Sequence, residues 1–195
     1  MQTQQSSHFY VVSLGKFSLL YFCTQGLFLL YWLFRAWRSQ ELEQRRSLLP
    51  ILRVLLAPFF ILDLFSFIRK KQLDVGDAFE WQPQKLAWLY ISFKALSFLS
   101  FFISVGAYLL FNLLDFFVSF YVFYKVQLIL NRIAGDNFGS GNKSITFQNQ
   151  IWMMFGAYLW VTSIVAVVRG PEPSVQTTES DGVPSQQGEL IQPAR

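Results

Sequence analysis

The sequence predicts an all-α, polytopic membrane fold of four transmembrane helices plus one re-entrant or in-plane hydrophobic segment. Three observations predict it. Of the 195 residues, 53% are hydrophobic and only 14% charged, where a soluble domain carries about 25% charged residues. Apolar runs that approach the about 20 helical residues a bilayer crossing needs recur at 17–34, 86–104, 107–125 and 151–168. Arginine and lysine gather mostly beside these runs, the distribution that orients membrane helices.

Composition also excludes function classes. The net charge of +4 comes mostly from loop residues, and no basic stripe on a soluble fold is present to carry nucleic acid. Membrane lipids are the expected partners, with a second copy or another membrane protein beside them. Cys23 is the only cysteine and His8 the only histidine, which excludes an internal disulfide and a His- or Cys-rich metal site. No cofactor motif is present. The 22 phenylalanines suit a lipid-facing surface.

Residues 1–16 form a short polar start without the basic region of a signal peptide, so this segment is expected to be retained. The membrane domain covers 17–169. Its first span, 17–34, is followed at once by Arg35 and Arg38, which places that end in the cytoplasm. Tyr31, Trp32 and Trp37 gather there, as amphipathic rings do at headgroup level. A charged connector, 39–47, leads to Ser47, a candidate helix cap.

The run 48–68 decides the topology. Pro58 interrupts it, Arg53 and Asp63 sit inside it, and both flanks are basic: Arg35, Arg38, Arg45 and Arg46 before, Arg69, Lys70 and Lys71 after. A crossing would push one basic flank through the membrane, so a re-entrant or in-plane segment is expected; the alternative is a fifth span. One straight helix would keep Arg53 and Asp63 apart, whereas a break at Pro58 could join them. With Arg69 they form a candidate headgroup site. The loop 72–85 carries Asp74, Asp77 and Glu80 and reads as solvated, lacking the ligand density of a calcium loop.

Residues 86–131 are long enough for two spans with a turn near 104–106. That turn sets Lys94 and Asp115 at matching depth. A charge inside a bilayer costs at least about 2.5–3.5 kcal/mol, so the two should pair, with Asn112 one turn away on the same face. Pinning the hairpin is the plainer role; an ion or proton pathway is the other. Val126, Ile129, Leu130 and Ile133 then continue a helical stripe past the membrane. A glycine-rich loop at 135–143 lacks the order of a phosphate cradle. Gly156, Ala157, Thr162 and Ser163 offer small positions for close helix approach in the last span. The tail 170–195 is expected to be disordered. Four crossings put both termini outside the cytoplasm.

Three stretches carry a resemblance. FYVVSLGKFSLLYFCTQGLFLLYWLFRAW resembles the VSxxK, TFGLY and YWxxKxW opening of a family of uncharacterised bacterial inner-membrane proteins. SLLPILRVLLAPFF is similar to its SPxxRAxxAPxF pattern, with Arg53, Ala57 and Pro58 matching. VQLILNRI resembles its VQxxINRIN pattern, with Val126, Gln127, Asn131, Arg132 and Ile133 matching. Cys23-Thr24-Gln25-Gly26 replaces the Thr-Phe-Gly core, and Phe34 stands where the family often has Tyr. The resemblance implies the bacterial inner membrane and a multi-pass topology, and no activity.

The residues favour a non-catalytic integral membrane protein: a scaffold, accessory subunit or membrane organiser. No nucleophile–base pair or metal cluster is spelled out. An oligomeric transporter or channel component built on Lys94 and Asp115 is the first alternative. A lipid-modifying enzyme using Arg53, Asp63 and Arg69 is the second.

Overall fold

The computed structural model describes residues 9–44 and 50–170, with side chains for 9–40 and 50–170. Arg45, Arg46, the Ser47 cap, His8 and the tail beyond Gly170 lie outside the described residues. Among the described residues there are seven α-helices, a short 3-10 turn at Ser140–Asn142 and no strand. The helices are α1 (Leu14–Cys23), α2 (Phe28–Gln44), α3 (Pro50–Leu55), α4 (Ala57–Asp74), α5 (Pro83–Ser100), α6 (Val105–Ile133) and α7 (Phe147–Arg169).

The longest helix, α6, is the axis on which α1, α4 and α5 pack. Ser104 caps it by accepting the Ala107 amide at 3.1 Å. Its 29 residues extend about 43 Å, so the span expected at 107–125 and the stripe beyond it are one continuous helix. Val126, Ile129, Leu130 and Ile133 are all buried. Among the described residues, α6 and α7 are the two helices both long and apolar enough to cross a membrane. The all-α class is present, and two helices of spanning length stand where four were expected among the described residues.

The run 17–34 is not a single helix. Thr24 ends α1 and starts α2 at once: its hydroxyl donates to the Leu20 carbonyl at 2.7 Å and accepts the Phe28 amide at 3.0 Å. Gln25 and Gly26 take left-handed φ values of 52° and 82°, a pair that reverses the chain. Descending α1 sets Phe17 near Phe120 and Tyr21 near Phe116. Returning α2 sets Trp32 against Phe123 and Gln127. The reversal expected of 48–68 thus occurs in the first apolar run, because Gly26, two residues after the capping Thr24, can turn the backbone inside an apolar sequence.

The run 48–68 does break, at Leu56, between α3 and α4. Pro58 stands in the first turn of α4, where its missing N–H costs nothing. Ile61, Leu64, Phe65, Ile68 and Gln72 form the buried face of α4, a helical repeat that packs on α2, α5 and α6.

The α5–α6 turn spans residues 101–104. Beyond α6, Asp136 accepts the amides of Ser140 and Gly141, each at 2.9 Å. The glycine loop therefore spends its own donors internally. Capped by Thr146, α7 packs on α1 and runs parallel to it: Lys16 meets Ser144, Phe22 meets Trp160, and Gln25 meets Ser163. Because α1 is antiparallel to α6, the described start of the chain and Arg169 lie at opposite ends of the molecule. Gly156 is the only buried residue of α7. Apolar side chains stand exposed along α7 and around the α5–α6 turn, from Phe102 at 70% to Val168 at 80%.

Candidate functional site

Ionisable side chains inside this apolar fold are the residues whose placement needs a reason. Lys94 on α5 and Asp115 on α6 meet, Nζ to Oδ2, at 2.6 Å. The turn is centred about two residues earlier than the depth argument assumed, and the long lysine side chain spans the resulting offset. Ser119, one turn along α6, donates its hydroxyl to Asp115 Oδ1 at 3.4 Å. The Lys94 ammonium lies 5.5 Å over the Tyr90 ring, a contact that favours a cation. Asn112 does not join: its amide donates to the Tyr108 carbonyl of its own helix at 2.8 Å. Helical spacing of four from each charge would have pointed to Ser119 and Tyr90.

Arg53 and Asp63 are brought together indirectly. Gln40 on α2 accepts from Arg53 at 3.4 Å and donates to Asp63 at 3.0 Å. Arg53 is 2% exposed and sits 5.9 Å from the Phe60 ring. The helix break at Leu56 makes the bridge possible. Gln40 was invisible in the sequence because it arrives from another helix. Arg69 stands apart, donating to Gln72 at 2.8 Å and to the Phe79 carbonyl at 3.3 Å. The expected three-residue headgroup site is therefore not assembled.

Arg69 belongs instead to a cluster at the end of α6. Arg132 grips Asp77 through two hydrogen bonds, of 3.0 and 2.6 Å. Its guanidinium lies 4.8 Å over Phe79. Gln72, fully buried, donates to Asp77 and Phe79 and accepts from Trp81 at 2.6 Å. The loop expected to be solvated is a hydrogen-bonded clasp. Gln127 and Asn131, one turn apart, similarly bind the backbone of Tyr10 and Val12.

The clasp has a pH signature. The Arg132 hydrogen bonds hold the Asp77 carboxyl well below the usual carboxylate range, against desolvation and with help from Gln72 and the Phe79 amide. The amides of Gly141 and Ser140 lower Asp136 as well. A depressed folded pKa stabilises fully above the unfolded value of about 3.9 and loses that contribution as pH falls through the folded one. Thermal unfolding should be level between about pH 7 and 5 and decline below about pH 4. Asp77→Asn should start lower and decline less. A variant that keeps the full acid decline would remove Asp77 as its source.

Of the topology anchors, Arg35 lies 5.2 Å over the Tyr10 ring, and Lys71 approaches Asp74 at 3.8 Å. Arg38 and Lys70 are exposed on their helices. Comparison of the chain with protein-family models, with curated proteins and with solved structures finds no match in any of the three.

Proposed function

We propose that this chain is a non-catalytic integral membrane protein, acting as a scaffold, accessory subunit or membrane organiser. The observation that carries the reading is the division of surfaces. α7 buries Gly156 alone and exposes most of its other side chains, while the Lys94–Asp115 and Arg132–Asp77 charges neutralise one another. Apolar faces turned outward and charges satisfied inward suit lipid contact and a rigid internal frame. The resemblance of its three landmarks supports the bacterial inner membrane as the compartment.

Alkaline carbonate extraction of membranes tests the placement: the protein should stay in the pellet, and release into the supernatant would end the reading. A transport role is favoured only by the Lys94–Asp115 pair. Reconstituted Lys94→Met/Asp115→Leu protein separates the two. A frame predicts unchanged ion flux between wild type and double variant; flux present in wild type and lost in the variant would replace the scaffold with a pathway.

A further inference from the structure

A cavity of about 510 Å³ opens between α1, α2 and the start of α7, within the roughly 300–1,000 Å³ typical of small-ligand sites. Its walls are apolar, formed by Leu20, Leu27, Phe28, Trp152 and Phe155. Its polar lining includes Lys16, Asn142 and Thr146. Lys16 is only 5% exposed. Its ammonium donates to Asn142 Oδ1 at 2.7 Å and to the Ser144 carbonyl at 2.8 Å. Both acceptors are neutral, an ammonium has three donors, and no carboxylate pairs with it among the described residues.

A second positive feature converges on the same space. Thr146, Gln148 and Asn149 line the cavity and form the cap and first turn of the 23-residue α7. A helix of that length presents about half a positive charge at its N-terminus. Among the described residues, no acidic side chain lines the cavity. A buried cation and a helix N-terminus beside apolar walls, with a rim of exposed Leu30 and Trp152, describe a complementary ligand: an anionic head on an apolar chain.

We propose that this cavity binds one anionic lipid, its head at Lys16 and the α7 N-terminus and its acyl chain along Leu27, Phe28 and Trp152. A zwitterionic head would bring a cation to a site without an acid, and a bare anion would leave the apolar walls empty. The inference uses the membrane placement only for the source of the ligand, which carbonate extraction tests separately.

Native mass spectrometry of the detergent-purified full chain decides it, with palmitoyl-oleoyl phosphatidylglycerol, phosphatidylcholine of the same chains, and inorganic phosphate as probes. Wild type should retain one phosphatidylglycerol, about tenfold more tightly than phosphatidylcholine, and no phosphate. Lys16→Gln should erase the preference, and Lys16→Arg should keep it. Leu27→Trp, which fills the cavity and leaves Lys16 in place, should abolish retention of both lipids. Equal affinity for the two lipids, or phosphate held as tightly as phosphatidylglycerol, would overturn the proposal. So would wild-type retention by Leu27→Trp with unchanged helical content. Should Lys16→Gln not fold, Lys16→Arg and Leu27→Trp carry the decision.

Discussion

Gly156→Leu should detach α7 from α1. A Cβ at Gly156 would fall on the Cys23 carbonyl oxygen, with Thr24 Cα only 2.6 Å away and the Cys23 carbonyl carbon 2.8 Å away. These are backbone atoms, so no rotamer change relieves the clash. Gly156 is also the single buried position of α7, so no other side chain compensates if the helix shifts. Separation breaks the Trp160 hydrogen bond to the Phe22 carbonyl, 2.8 Å, and the Gln25–Ser163 contact, 3.2 Å. The expected loss reaches about 3 kcal/mol, the upper end for overpacking. Cys23, half-buried beside this contact, reports on it: its alkylation should accelerate several-fold in the variant. Ala157→Leu, one residue along on an exposed position, is the control and should change neither rate nor thermal midpoint. An unaltered Cys23 rate in Gly156→Leu would mean that α7 does not depend on this contact.

Lys94→Met should destabilise the α5–α6 hairpin by about 3 kcal/mol, the lower end for breaking a buried ion pair. Asp115 is 9% exposed and Lys94 35%, so the carboxylate is the group left stranded. Ser119 alone, at 3.4 Å, is a poor substitute for a cation. The double variant Lys94→Met/Asp115→Leu should recover to within about 1 kcal/mol of wild type, because replacing both partners removes the desolvation cost along with the attraction. Thermal unfolding of wild type, Lys94→Met, Asp115→Leu and the double variant in detergent measures the coupling. Additive losses would mean that the two residues act independently and that the 2.6 Å contact contributes nothing to the hairpin.

Much of the polar framework was legible where both partners lie on one apolar run or in one hairpin. Lys94 and Asp115 could be matched because a charge in an apolar run needs a counter-charge and a tight turn relates their depths. The break that joins Arg53 to Asp63 could be expected from Pro58, although the chain breaks two residues earlier, at Leu56. Gln40, Gln72 and Gln127 were not legible as parts of clusters. A neutral amide has no sign to match; Gln40 and Gln127 bind groups contributed by other helices and segments, and Gln72 binds a loop whose path no periodicity sets.

The amino-acid order alone determined the helical class, the α5–α6 pairing, the outward apolar faces and the absence of an internal disulfide. These follow from local periodicity, length, charge placement and cysteine count. The fold alone decided that the first apolar run doubles back, that the Asp77 loop is clasped by Arg132, and that Lys16 lines a cavity with the start of α7. A run of apolar residues specifies burial in a low-dielectric setting, but not which way the chain points within it. Direction is decided where two segments touch, as at Gly156 and Cys23, and such contacts lie too far apart in sequence for any periodicity to record.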